Sequence, residues 1–591
     1  MCGICGIYNE QNLPLVTSML EAIRHRGPDS FSTVLFKNNS LGECGLNIVS
    51  TKEDLLPLID RESCIAALFN GEIYNYRELK KSLSKDGCVF TSDTDSEVII
   101  PLYKRYGKHF VKYLKGMFAI AILDQDQIIL ARDRYGIKPL YYHRSGDKLI
   151  FGSEIKSLLM HPDVPAELDH ESFEELLVFG YVFSGEGTLL KGIRQVSPGT
   201  LVTFDGQQLT EHRHYQMPYP FYAENGGRIS KGTCEKSYED YVAHLQDVLS
   251  HTFDVMYSHG KSDKGVYLSG GLDSTVMAIL CCEAAGKPVH TYTLADSEDA
   301  PDLEHARRVS RRLGTIHREF FVSETDYLKE LPLFVFHYES IVAGGVYDIQ
   351  GGIAFQMLSR HISEHHKVAT TGEGADELFG GYYWPYTHPL GFSDTIKQRT
   401  AGFSDGSKIK TTVKNLFPAP DDEKAYRKTI FDILMKSGLS NLHLWSVDRS
   451  CSTFGFEARP PYLYDDIADF ALSLPIEFKV PDKKTTKRLF KDAVMPLLQR
   501  YDLQEIAERK KYGMPAALSH IGPQMIAMIN KLIPANVVRA HPYSRYLKSP
   551  IDVLMFDLFH YFFIHKKGQF ESGFSMTDFY QGREYGNMYD Q

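Results

Sequence analysis

No apolar run in the 591 residues reaches the ~18–20 needed to cross a bilayer. The N-terminus, MCGICGIYNEQNLP, has no charged region leading into a long apolar stretch. Neither a membrane-spanning segment nor a secretory signal is expected, and a cytoplasmic protein is. Basic charge is not in excess either. The formal net charge is −10, whereas nucleic acid or an anionic membrane would call for a basic face. The nine cysteines are odd in number and irregularly spaced. Cys2 and Cys5 form a CxxC without a second pair at zinc spacing, and Cys281-Cys282 are adjacent in a helical pattern, which points to reduced thiols. Internal repeats and long low-complexity tracts are absent. What is there, 43% hydrophobic and 24% charged residues, is the mix of a globular protein with two to four domains.

The texture changes once along the chain. Through about residue 210, apolar runs broken by short turns read as antiparallel hairpins, as in FAIAILDQDQIILARD and PLYYHRSGDKLIFGSE. Helical patterns interrupt them at 13–25 and 94–106. Residues 211–236 mix Pro, Gly, Asn and charge without a period, as a linker does. From 237 to 545, strand and helix alternate: GVYLSGG, LDSTVMAILCCEAA, PVHTYTL, then a helix ended by Gly314, then HREFFV and KVATTGEG. That alternation implies a parallel sheet covered by helices. Residues 546–591 hold an aromatic stretch, LMFDLFHYFFIHKK, and a polar tail of undetermined role.

YLSGGLDST joins a buried strand to a helix. Ser269, Gly270 and Gly271 leave backbone N–H groups open to an anion, and Asp273 and Ser274 begin the helix, whose N-terminus adds a positive end. No Lys follows the glycines, so this is not the common G-x-x-x-x-G-K loop. An Asp beside converging phosphate oxygens suits magnesium. An ordinary capped turn is the bland alternative. At ~7% usage per residue, however, the string SGGLDS is expected on the order of 10⁻⁷ per start position.

SGGLDS resembles the pyrophosphate loop of ATP pyrophosphatases, and TGEGADELFGGY (371–382) resembles the second signature of the synthetases in that class. The resemblance implies an ATP site of Leu268, Ser269, Gly270, Gly271, Asp273, Ser274, Thr293, Gly372 and Glu373. Asp273 and Asp376 would bind magnesium, Glu373 would lie near the activated carboxylate, and Lys487 in KKTTKRLFKDAV would stabilise charge in the adenylating step. A solvated basic helix face is the other reading of Lys487.

Loss of Met1 would leave Cys2 with an amine and a thiol on one residue. Their ordinary pKa values, ~7.7–8.0 and ~8.5, let the amine take the thiol proton near neutral pH. Beside it, RHRGPDS (24–30), FNGEIYNYREL (69–79) and SDTDSEVI (92–99) resemble the glutaminase half of class II glutamine amidotransferases. That resemblance implies an N-terminal-nucleophile αββα sandwich over 2–210. Asn70 and Gly71 would form an oxyanion hole, and Ile48, Val49, Asn70, Gly71, Glu72 and Asp95 would bind glutamine. One feature is missing. The family carries an Arg that grips the glutamine α-carboxylate, and Gly45 of GLNIVS stands there; Lys52 and Arg26 are the candidate replacements.

The two halves in this order resemble glutamine-dependent asparagine synthetase. The implied partners are glutamine, ATP and a small carboxylate; a homodimer is compatible with the resemblance. Aspartate is the leading acceptor, although HYESIVAGGVYDIQGGIAFQM (337–357) and EARPPYLYD (457–465) depart from the family strings at, among others, Pro460 and Tyr464. A different carboxylate is the alternative. A β-lactam-forming synthetase is disfavoured by Cys2 and Glu373, and a non-catalytic scaffold by the intact SGGLDS and GEGADE strings.

Overall fold

The computed structural model describes residues 2–49, 57–217, 237–260, 262–342, 346–418, 422–509, 520–582, 585, 588 and 589. Two six-stranded sheets come from the first 213 residues. One runs Arg194–Gln195, Tyr141–Ser145, Lys148–Gly152, Gly3–Tyr8, Asn39–Gly45, Ser30–Phe36 across its width. The other runs Leu209–Arg213, Thr200–Phe204, Gln127–Arg132, Gly116–Asp124, Ile65–Ile73, Leu58–Asp60. Their neighbours pair antiparallel; the two hairpins read from FAIAILDQDQIILARD and PLYYHRSGDKLIFGSE form, and a further one joins Thr200–Phe204 to Leu209–Arg213. The last hairpin carries its second strand to Arg213, three residues beyond the boundary read at 210.

Side chains alternate between the faces of a strand, so each sheet buries both. Ile4, Leu41, Leu68, Leu130 and Phe151 fill the space between the sheets. Helix Leu13–Glu21 covers the outside of the first sheet with Val16, Met19 and Leu20. Helices Tyr76–Lys85 and Ile99–Tyr106 cover the second with Leu83, Ile99 and Leu102. The layer order is α/β/β/α, as expected. Cys2 immediately precedes the strand Gly3–Tyr8, and Asn70 and Glu72 stand two residues apart on Ile65–Ile73.

The second half is built on five parallel strands in the order Ile316–Phe321, His290–Ala295, Lys264–Tyr267, Val368–Thr370, Glu457–Arg459. Both candidate phosphate-side loops leave the C-terminal ends of adjacent central strands, Lys264–Tyr267 and Val368–Thr370, the place where open α/β sheets bind ligands.

The C-terminal residues, left without a role by the sequence, pack into the body of the protein. Ser549 and Asp552 form a capping box on helix Pro550–Phe559, and Val553, Leu554, Phe556 and Phe562 are wholly buried. Phe556 packs on Phe173 of the first half at 5.2 Å between ring centroids, and Phe562 packs on Phe336. Each such side chain contributes about 1.5–3 kcal/mol, so this segment is part of the core. Asp557 closes it, accepting from His541 Nε2 at 2.9 Å and the Tyr580 hydroxyl at 3.0 Å. No helix among the described residues is long and apolar enough to cross a membrane.

Candidate active site

The first cluster lies where the two sheets of the first half open toward the second half. The Cys2 backbone N donates to Asn70 Oδ1 at 2.9 Å. Asn70 is fully buried, and its Nδ2 donor has no hydrogen-bond partner among the described residues. An amide N–H buried without a partner costs about 1–3 kcal/mol, which a developing oxyanion beside it would offset. Gly71 follows with φ of +155°, and a Cβ there would stand 2.1 Å from Met117 O. No other residue fits, so the backbone at 71 can approach a ligand closely. Burial pushes the Cys2 thiol up to about 11, and the positive amino terminus of the chain pulls against it.

Glu72, Asp95 and His259 have ligand-type atoms within 4.8 Å of one another. Asp95 Oδ2 accepts from Ile73 N at 2.7 Å. Burial first, and the Glu72 carboxylate second, raise the Asp95 carboxyl well above its usual range. Glu72 bonds His259 Nε2 and pairs with Arg459 Nη2 at 3.1 Å. Ile48 is buried nearby, with its backbone beside Gly260, and Val49 packs on the core under the second sheet. Sequence reasoning missed His259 and the side-chain role of Arg459 here.

Arg26 does not stand in for an arginine at 45. Its guanidinium is wholly buried and already committed. Nε donates to Cys2 O at 3.1 Å, Nη1 to Glu154 Oε1 at 2.7 Å, and both Nη atoms to Asp448, at 2.9 and 3.1 Å. Lys52 lies outside the described residues. Gly45 is an ordinary strand residue paired with Ser30.

The second cluster forms at the loop after Lys264–Tyr267. Gly270, at φ +68°, abuts the first turn of helix Leu303–Leu313, where a Cβ would meet Ala306 N at 2.5 Å. Ser274 Oγ accepts from Ser269 N at 3.2 Å and donates to Gly271 O, and Thr293 Oγ1 donates to Leu268 O. These bonds hold the loop open at the N-terminus of helix Leu272–Ala285, ready for an anion. Gly372 stands against Asp273, 3.8 Å from a built Cβ to Asp273 Cβ.

Lys487 is not a solvated helix face. It is 4% exposed, and its Nζ lies 2.5 Å from both Asp273 Oδ1 and Asp376 Oδ1. Its φ is +55°, a conformation costing a non-glycine residue about 1–3 kcal/mol that persists where the surrounding structure holds it. Gly381 makes room for this arrangement: a Cβ there would lie 1.8 Å from Asp376 Oδ1 and 2.3 Å from Lys487 Cε. Tyr462 fixes the Asp273 backbone through a 2.8 Å bond. Burial raises the Glu373 carboxyl, and its Oε2 has no hydrogen-bond partner among the described residues. The clusters are joined through Arg459. Its side chain reaches Glu72, while its backbone O accepts from Thr371 N at 2.9 Å, two residues before Glu373.

Comparison with known proteins follows the same division. The family described as glutamine amidotransferase domain matches residues 1–215, and that described as asparagine synthase matches 245–546. Asparagine synthetase (glutamine-hydrolysing) 1 of Bacillus subtilis is 26% identical over 612 residues, covering 93% of this chain and 92% of that one. Its namesake 3 from the same organism is 27% identical, covering 87% of each. A glutamine-hydrolysing asparagine synthetase of Arabidopsis thaliana is 28% identical, covering 87% of this chain and 78% of the other.

Proposed function

We propose, from the premise that this chain belongs to the glutamine-hydrolysing asparagine synthetase family, that it amidates aspartate with ATP and glutamine. In this reading 2–210 is the glutaminase domain and 237–545 the synthetase domain. Leu268, Ser269, Gly270, Gly271, Ser274, Thr293 and Gly372 hold ATP. An oxygen of the aspartate side-chain carboxylate attacks the α-phosphorus, and the bond to the β-phosphate oxygen breaks. The products are the acyl-adenylate and pyrophosphate, and Lys487 carries positive charge to the leaving group. Asp273 and Asp376 fit a magnesium ion, because their hard carboxylate oxygens converge on a point already favourable to the Lys487 ammonium. Bound there, magnesium would neutralise charge on the pyrophosphate.

At the other site, Cys2 freed of Met1 passes its thiol proton to its own amine and attacks the glutamine side-chain amide. Asn70 Nδ2 and the Gly71 N–H receive the oxyanion, the Cys2 amine returns the proton to the departing nitrogen so that ammonia leaves, and water hydrolyses the thioester to glutamate. Ammonia travels inside the chain to the adenylate, attacks the acyl carbon and expels AMP. Separation keeps water from the adenylate and ammonia unprotonated. The enzyme works in the cytoplasm, as a homodimer. A non-aspartate carboxylate is the second reading, favoured by the departures from the family string at Pro460 and Tyr464.

The observation that carries the proposal is the single ammonium of Lys487 held between Asp273 and Asp376 at the mouth of the phosphate loop. Pyrophosphate exchange into ATP, measured with aspartate and with a panel of other carboxylates, tests it. Asp273→Asn and Asp376→Asn should each nearly abolish exchange whatever the nitrogen source. Near-normal exchange in both would leave the carboxylates as structural groups only, and exchange with some carboxylate other than aspartate would transfer the proposal to that acceptor.

A further inference from the structure

We propose that Arg459 and His259, both supplied by the second half of the chain, receive the α-carboxylate of glutamine in place of the arginine absent at position 45. The inference rests on the reading of Cys2, Asn70 and Glu72 as the glutamine site.

The spacing places the amino-acid end of the substrate. Asn70 and Glu72 are two residues apart on one strand, hence on the same face and about 6.6 Å apart along it. With bonds of ~1.5 Å, an extended glutamine spans about 5 Å from its side-chain carbonyl carbon to its α-substituents. A substrate whose amide lies at Asn70 therefore delivers its ammonium and carboxylate at Glu72. There the ammonium has two carboxyl groups, Glu72 and Asp95.

The carboxylate needs a cation, and neither position 45 nor Arg26 supplies it. Gly45 has no charge, and Arg26 is fully engaged with Cys2 O, Glu154 and Asp448. Arg459 is different. Its Nε donates to Glu457 Oε1 at 3.0 Å and its Nη1 to His259 O at 2.8 Å. These two bonds orient the guanidinium plane. Nη2 is left within ion-pair distance of Glu72, 3.1 Å from Oε1, yet with no well-directed hydrogen bond although Arg459 is wholly buried. That donor faces Glu72 and keeps hydrogen-bonding capacity that the surrounding protein does not use.

His259 completes the receptor. Its ring packs edge-on against Tyr74 and Tyr76 at 5.1 and 5.7 Å, so its Nε2 is held on Glu72. A zwitterion entering here exchanges partners: its ammonium takes Glu72 and Asp95, and its carboxylate takes Arg459 Nη2 and His259 Nε2. No net charge is buried in the exchange, which keeps the desolvation penalty of a lone ion out of binding. The guanidinium already beside Glu72 also disfavours a divalent metal ion among Glu72, Asp95 and His259. The pocket is therefore complete only when the second half is docked.

The test compares L-glutamine with L-glutaminamide, which lacks the negative charge, as ammonia donors. Wild type should prefer glutamine by ~10- to 100-fold in kcat/KM, the worth of a charge-assisted pair. His259→Leu and Arg459→Lys should each lose most of that preference by slowing glutamine and sparing glutaminamide. Equal losses on both donors, or a preference that survives both variants and falls only in Lys52→Ala, would overturn the assignment. If Arg459→Lys does not fold, His259→Leu alone decides. Glutamine use that persists in Cys2→Ala would instead sink the underlying glutaminase site.

Discussion

Asp448→Asn asks whether the second half holds the nucleophile in position. Arg26 links Cys2 O to Asp448, 422 residues away in sequence. The surrounding network is balanced: Arg26, Lys156 and Arg449 face Glu154, Glu339 and Asp448, all buried. Burial pushes the imidazoles of His25 and His337 down, so neither adds a charge at neutral pH. Burial alone would raise the Asp448 carboxyl, but Arg26 outweighs it and holds that carboxyl below its usual range. The isosteric amide removes one negative charge and leaves the network with a surplus positive one. Breaking a buried pair costs about 3–5 kcal/mol, and because Glu154 still faces Arg26 the lower end is expected, about 3 kcal/mol. Arg26 should then shift toward Glu154 and release Cys2 O. A displacement of ~1 Å at a nucleophile can cost about 100-fold in rate. The assays are urea unfolding and a side-by-side measurement of glutamine-driven and ammonia-driven synthesis. Stability should drop by the stated amount, and the ratio of glutamine-driven to ammonia-driven rate should fall by ~10-fold or more. A variant with full stability and an unchanged ratio would refute the idea that Arg26 carries positioning from one half to the other.

Three further outcomes are expected. Cys2→Ala should abolish glutamine-driven amidation and leave ammonia-driven amidation, and glutamine-driven product at the wild-type rate would remove Cys2 from the mechanism. Gly381→Ala should cut pyrophosphate exchange on the order of 100-fold while glutamine hydrolysis persists, because the added Cβ collides with Asp376 Oδ1 and Lys487 Cε; normal exchange would mean that the Lys487 bridge is dispensable. Glu97 gives a pH dependence. Burial opposes its ionisation, but the hydrogen bond from Lys80 and those from Thr91 and Ser92 bring its carboxyl from 4.5 down to about 2. A carboxyl depressed on folding contributes stability above its unfolded value that is lost as pH falls through the folded one. The contribution, about 1 kcal/mol at neutral pH once solvent screening of this partly exposed group is allowed for, should therefore fade between roughly pH 4.5 and 2. Urea midpoints for wild type and Glu97→Gln should differ at pH 6 and converge toward pH 3, and a gap independent of pH would count against it.

Short-range strings were legible without coordinates. The hairpins around Gln125-Asp126 and Gly146-Asp147 announce themselves because a turn and its flanking strands are neighbours in the chain. The strand, loop and helix of YLSGGLDST were legible for the same reason, whereas Asn70, Gly71 and Glu72 were marked by the resemblance of FNGEIYNYREL to the glutaminase half of the family. Lys487 was named in the sequence by its resemblance to the family lysine, with a solvated helix face as the other reading, and only the structure decided between them: it lies 214 residues from Asp273, and its left-handed backbone and its burial arise from packing against the loop after Val368–Thr370.

Arg26 shows the same limit in reverse. Its charge marked it as a candidate for the glutamine carboxylate, but charge says nothing about which partner is within reach, and Asp448 had already taken it. The missing cation at Gly45 was visible in the sequence as an absence. Its replacement was not, because His259 and Arg459 sit 187 residues or more from Glu72 and meet it only where the two halves touch. The same holds for 546–591. An aromatic-rich stretch with a polar end reads as a tail until Phe173 and Phe336 are found against it. Local chemistry is written in spacing of a few residues, whereas buried charge pairs and interdomain contacts depend on which surfaces the folded sheets bring face to face.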